Sequence, residues 1–268
     1  MKSLSIVTFL ILTCQICFGQ ASNKIDSLKA VIKSEIADTS KVWVYYELSG
    51  SPIPADEQLK YLQEGLTLAK KLNFVKGITL GTWQLAFKNN VLGNWAKGLE
   101  IALEGYNEAL RTKNKADELS FMNMIALSYY KQRDYKTTLQ WTKQSIEKLN
   151  NGYPAIGNNE WAAYMQTATV YAYLNQPDSA IISADKSIAS AIQNKSPATL
   201  LGYSYEYKGD AYVKKRNFNL AFKNYTLALE YLIEDPFSVQ EVQRQIAKMY
   251  MEMNDKPNAE KYALLAYE

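Results

Sequence analysis

GYSYEYKGDAYVKKRNFNLAFKNYTLALEYLIEDP, residues 202–236, holds the pattern that decides the fold. Gly209, Tyr212, Phe218, Ala221, Tyr225 and Ala228 alternate small and large side chains at spacings that place them on facing sides of two antiparallel helices. Lys215, Arg216 and Asn217 form the turn between them. Small residues let two helix axes approach to about 8–10 Å, and aromatic rings fill the space that remains.

Working outward, four other turns stand where Arg216-Asn217-Phe218 stands: Gly93-Asn94-Trp95, Arg133-Asp134-Tyr135, Asn175-Gln176-Pro177 and Asn254-Asp255-Lys256. Each of the five turns, the reference included, is preceded by a helix with a small residue at the matching place, Ala86, Ala126, Ala168, Gly209 and Ala247, at intervals of 40, 42, 41 and 38 residues. The following helices carry Ala180, Ala221 and Ala259 at their own contact positions, with looser fits at Gly98 and Thr138. This resembles the tetratricopeptide repeat (TPR) family, whose pattern runs Leu-Gly, Tyr, a turn, Ala, an aromatic, Ala and a closing Pro. The resemblance implies an all-α, right-handed α-solenoid of stacked antiparallel helix pairs, a TPR superhelix of about six repeats. These lie near 40–72, 79–112, 119–150, 160–194, 202–235 and 239–268. The intervals exceed the minimal repeat of about 34 residues, so helices or links must be extended.

The first repeat is the most degenerate. Gly50-Ser51-Pro52-Ile53-Pro54 cuts its first helix short or kinks it, while Leu59 to Leu72 reads cleanly as the second. Terminal repeats are often atypical because they cap the stack. Links at 73–77, 112–117, 150–159 and 194–199 carry Gly, Pro, Asn and Lys. The longest contains Asn151-Gly152-Tyr153-Pro154, a candidate hinge or protruding loop whose blander reading is an ordinary flexible connection.

The chain opens with Lys2, an apolar run from Ile6 to Leu12 and a small, polar end at Cys17-Phe18-Gly19-Gln20. This reads as a secretory signal peptide over 1–19, because the apolar run is far short of the ~20 residues a membrane span needs. A lipoprotein anchor is disfavoured, since neither Cys14 after Thr13 nor Cys17 after Ile16 follows a small residue. Removal of 1–19 takes away both cysteines and one lysine and leaves a formal charge of +2, one less than the +3 of the full chain. Near-neutral charge gives no electrostatic argument for nucleic acid or anionic lipid. The expected product is exported, periplasmic or extracellular, with no membrane span and no disulfide.

Residues 20–39 read as a leading helix, with Ile25, Leu28, Val31, Ile32 and Ile36 at helical spacing and Asp38-Thr39-Ser40 as the cap of the next. The phrases Ile25-Asp26-Ser27-Leu28-Lys29, Asp38-Thr39 with Lys41-Val42, and Glu47-Leu48-Ser49 are similar to the start of the extracytoplasmic TPR region of bacterial sensor histidine kinases and related regulators. The last residues, with Ala263, Leu264 and Ala266, show no polar capping helix, which suggests a fragment or contact with a missing C-terminal module. With no histidine in the sequence, the chain cannot be the phosphoacceptor of such a kinase.

A search for chemistry is mostly negative. The absence of histidine, and of cysteine beyond 1–19, removes imidazole-based catalysis and the usual zinc sites, and no glycine loop for phosphate appears. No cofactor and no metal are expected, and no catalytic residue is assigned. The nearest reactive cluster is Glu206, Asp210 and Lys214, four apart on one helix face; the bland reading is a solvated stripe in which the lysine relieves the repulsion of the two acids.

The TPR resemblance further implies that first helices line a concave surface. Counted from the aligned turns, its ligand-facing candidates are Trp83 and Phe87, then Met124, Tyr130 and Lys131, then Met165, Gln166 and Tyr173. Tyr203, Glu206, Tyr207 and Asp210 follow, and finally Arg244 and Lys248. Several of these aromatics can equally pack between repeats. The carboxylate clamp by which some TPR domains hold chaperone tails is absent, since its positions hold Trp83, Phe87, Met124, Ala162 and Gln166. The expected role is a non-catalytic scaffold for a protein or extended peptide in the cell envelope. The alternative is the sensory input region of a split or truncated regulator.

Overall fold

A computed structural model describes residues 24–34 and 38–267. Residues 1–19, expected as a signal peptide and holding both cysteines, residues 20–23 and 35–37 of the expected leading helix, and Glu268 lie outside the described residues. Among those described there are thirteen helices and no strand. Helix α1 covers 24–33. It is followed by α2 (Thr39–Ser49), α3 (Ala55–Lys71), α4 (Val75–Val91), α5 (Trp95–Arg111), α6 (Lys115–Lys131) and α7 (Tyr135–Asn150). The remainder are α8 (Asn159–Tyr173), α9 (Pro177–Gln193), α10 (Ala198–Lys214), α11 (Phe218–Tyr231), α12 (Pro236–Glu252) and α13 (Lys256–Leu265). The chain divides into two compact units, one up to Leu92 and one from Gly93 onward.

In the first unit, Asp38 caps α2 by accepting from the backbone N–H groups of Ser40 and Lys41, at 2.9 and 3.2 Å. The 50–54 segment ends this helix at eleven residues, as two prolines within three positions require. Buried Tyr46 then donates from its hydroxyl to the Gly77 carbonyl at 2.7 Å, tying α2 to α4.

In the second unit, α6 packs on α7 and α8, α8 on α9 and α10, and α10 on α11 and α12. First helices thus touch the first helices of the next pair, whereas α7, α9, α11 and α13 do not touch one another. This is α-solenoid packing, with α6, α8, α10 and α12 gathered on the inner side. Ala126, Ala168 and Ala247 are buried at the expected crossing points, as are Ala180, Ala221, Ala259 and Thr138 from the second helices. Tyr225 of α11 and its C-cap Leu232 meet Val242, Ile246 and Met249 of α12 in one core, with Tyr212 and Phe218 against it.

Polar pegs fix the pairs. Trp161 Nε1 of α8 donates to the Leu200 carbonyl and Ser204 Oγ of α10, at 3.1 and 2.9 Å, and Ser187 Oγ of α9 reaches the same hydroxyl at 2.8 Å. Asn123 Nδ2 of α6 donates to the Asn159 carbonyl at 2.8 Å.

The aligned turns share one backbone solution. Gly93, Arg133, Asn175, Arg216 and Asn254, each the first residue of its turn, all have positive φ, and Asn73, Lys113 and Lys195 do the same in the links. At Arg216 the helix end closes with Asn217 N–H donating to the Tyr212 carbonyl at 2.9 Å and Arg216 N–H to Val213 at 2.8 Å, the Schellman arrangement. A side chain at positive φ costs roughly 1 kcal/mol, whereas glycine is freer there. We therefore expect Lys113→Gly and Arg133→Gly each to raise the unfolding free energy by about 0.5–1 kcal/mol in urea titrations. Arg216→Gly should gain less, because the guanidinium stacks 5.6 Å over Phe218.

The long link is anchored through Tyr153. The Tyr153 ring lies between the ammonium groups of Lys115 and Lys148, each 4.9 Å from its centroid, and Lys148 pairs with buried Glu118 at 2.9 Å. Tyr153, near the start of the link, is therefore held against α6 and α7, while residues 154–158 are exposed.

Candidate functional site

The inner-face candidates divide into those that hold the fold and those that remain open. Met124 is 3% exposed, and buried Gln166 donates from Nε2 to the Asn123 carbonyl at 3.2 Å, so both sit inside the α6–α8 packing instead of facing a ligand. Tyr203 likewise serves the frame: its hydroxyl donates to Asp235 Oδ2 at 3.2 Å, beside the Ser238 side chain at the start of α12. In the first unit, Trp83 and Phe87 stack with centroids 5.5 Å apart and planes 6° from parallel.

Three tyrosines gather where α6 ends, α7 begins and α8 ends. Tyr130 lies 6.1 Å from Tyr135 and 5.9 Å from Tyr173, and Tyr135 stacks on Tyr173 at 5.2 Å. Lys131 points its ammonium toward the Tyr130 ring at 5.9 Å. Tyr173 is 61% exposed and presents the outer surface of the cluster. Tyr207 of α10 joins the group to the next helix: burial first, then the Glu206 and Asp210 charges and Tyr173, push its hydroxyl above the ordinary tyrosine range. Met165, one turn before Thr169, is half-buried beneath.

Glu206 and Asp210 occupy one face of α10. Glu206 is only 9% exposed, and burial, followed by the Asp210 and Glu241 charges, pushes its carboxyl up to about 8. Asp210 Oδ1 accepts a hydrogen bond from the buried Tyr225 hydroxyl at 2.6 Å. Burial raises Asp210 to about 6, against the opposing pull of that hydrogen bond and of Lys248 and Lys214. Across on α12, Arg244 pairs with Glu241 on its own helix, and Lys248 is exposed. The solvated stripe expected for Glu206, Asp210 and Lys214 is therefore overturned: Lys214 is in solvent, but Glu206 is buried and Asp210 half-buried on the side of α10 that faces α12.

Sequence counting reached Glu206, Asp210, Tyr207 and Tyr173 but passed over Tyr225, Tyr135 and Glu241. The same counting rule covers Glu241, which stands six residues after the α12 N-cap Asp235. Tyr225 gave no such signal, because its ring is a core residue and only the folded helix pair shows its hydroxyl reaching an acid.

No protein-family model matches the sequence, and no curated protein is similar to it. The fold does match solved structures. The apo form of the quorum sensor NprR from B. thuringiensis aligns with a TM-score of 0.61 at 12% identity, over 96% of this chain and 83% of that one. BtubC (BKLC) from P. vanneervenii aligns at 0.59 and 12% identity, over 93% and 87%. A kinesin-light-chain protein of nearly identical TPR-like repeats from Podosopora anserina aligns at 0.55 and 13% identity, over 69% and 91%. The chain thus has the TPR-like fold that its turn and small-residue spacing implied.

Proposed function

We propose that this TPR-like chain is a non-catalytic scaffold that holds an extended protein segment along the inner face of α6, α8, α10 and α12. The observation that carries the reading is the composition of that face. It offers exposed Tyr173, Lys131, Arg244 and Lys248 around half-buried Tyr130 and Tyr207 and two sunken carboxylates. Aromatic groups with scattered charges anchor an extended segment and fix its register. The three similar structures support the scaffold fold, and their own partners do not transfer to this chain.

The setting we propose is the cell envelope, from the apolar run Ile6 to Leu12 and the small-residue end before Gln20. No described helix is long and apolar enough to cross a membrane. A sensory input role, whose output lies on another module, is the second reading and is favoured by the phrases between Ile25 and Ser49.

Cross-linked capture from envelope extract tests the scaffold. The triple substitution Tyr173→Ala, Arg244→Ala and Lys248→Ala should abolish capture with the helical circular dichroism unchanged. Lys143→Ala with Lys186→Ala, exposed on the second helices α7 and α9, should leave it intact. Equal capture by both variants would defeat the inner-face assignment. An intact mass of the native product well above 30.4 kDa would favour the sensory reading.

A further inference from the structure

Glu206 is the one acid of this face whose burial is not compensated by a partner. It is 9% exposed, and among the described residues nothing donates a hydrogen bond to it and no cation pairs with it. The charges that act on it, Asp210 and Glu241, are both acidic. Asp210 has the Tyr225 hydroxyl, and Lys248 and Lys214 act on it only through space, neither forming an ion pair with it. Arg244, the remaining cation of α12, is engaged with Glu241. A carboxylate held largely out of water without a partner is costly and is stabilised by any cation delivered to it.

Resting on the scaffold reading above, we propose that Glu206 and Asp210, beside Tyr207, form the seat for a Lys or Arg side chain of the bound segment. The two acids would take the ammonium or guanidinium group. Tyr207, with Tyr130 and Tyr173 behind it, would cover the apolar stem, as tyrosine rings do for cationic side chains. A metal ion is the weaker occupant, because no three Asp, Glu, His or Cys side chains converge closely enough to hold one among the described residues. An anionic occupant is disfavoured by the three acids, Glu206, Asp210 and Glu241, that share the site.

Such a cation must find Glu206 ionised, so binding displaces a proton. The groups facing the seat are Glu206, Tyr207, Asp210 and Lys214 of α10, Tyr225 of α11, Glu241, Lys248 and Glu252 of α12, and Thr169 with Tyr173 of α8. Of these, Glu206 and Asp210 have carboxyls raised to about 8 and about 6. Affinity for the basic segment should therefore rise by about tenfold or more between pH 6 and pH 8.

Panning a random dodecapeptide phage library on the purified chain tests this. The expected result is enrichment of Lys or Arg at one fixed position. Replacing it by norleucine in the synthetic N-acetylated peptide should lower affinity by at least about tenfold, as should Glu206→Gln or Asp210→Asn in the protein. A free amino terminus restoring binding to the norleucine peptide would shift the cation from side chain to chain end and overturn the side-chain assignment. Enriched sequences without a basic residue would overturn the cation seat and leave the scaffold standing. No enrichment over the bare support would overturn both.

Discussion

Gly209→Leu should lower the unfolding free energy by about 3 kcal/mol or more, read as a fall in melting temperature of roughly 6 °C or more. The sign is decided by two opposed effects. Any side chain at a glycine inside a helix gains about 1 kcal/mol in helix propensity. Against this, a Cβ at Gly209 would lie 2.6 Å from Tyr225 Cε1 and 2.7 Å from Cδ1. Tyr225 cannot swing aside: it is 1% exposed, packed among Ala221, Ala228 and Val242, and held by its hydroxyl on Asp210. Even alanine should therefore destabilise, and leucine must separate α10 from α11. If the clash is the cause, Gly209→Ala combined with Tyr225→Leu should cost less than the sum of the two single changes. Full retention of stability in Gly209→Leu would place the helix crossing elsewhere.

Glu206→Gln should flatten the pH dependence of stability between about pH 4.5 and pH 8. The wild-type carboxyl rises from 4.5 to about 8 on folding, so the native state binds the proton more tightly than the unfolded chain. Its contribution is fully present below pH 4.5 and is lost as the pH climbs through 8. At about 1.4 kcal/mol per pH unit, the wild type should surrender roughly 3–5 kcal/mol across this window, which the glutamine variant keeps. Asp210 adds a smaller loss in the same direction between 3.8 and about 6, limited by the Tyr225 hydrogen bond and the two lysines. Urea titrations of both proteins at pH 5 and pH 9 check this. Equal slopes would mean that Glu206 is solvated in the folded protein.

The acids also show where sequence reading stops. Glu206, Asp210 and Lys214, four apart, describe one face of a helix, and from spacing alone that face looks exposed because Lys214 shares it. Whether a stripe is wet depends on what the next helix brings. Here α12 brings Glu241 and Lys248 close enough to act on the acids, and the helix pair brings Tyr225 under Asp210. Met124 and Gln166 failed for the same reason in reverse: the position fits an inner wall, but the neighbouring first helix closes over it.

The periodic features were legible because they are local. A small residue where axes cross, a ring beside it and a polar turn residue at positive φ each depend on a few consecutive positions, so Gly209, Tyr212, Arg216 and Ala221 set the helix pair by themselves. Only the tertiary structure decided which side chains of the shared face are open, which are pegs and which are buried acids. Solvation and pairing are set by residues on other helices, 15 positions away for Tyr225 and Asp210 and 43 for Asn123 and Gln166, and spacing within one helix carries no record of them.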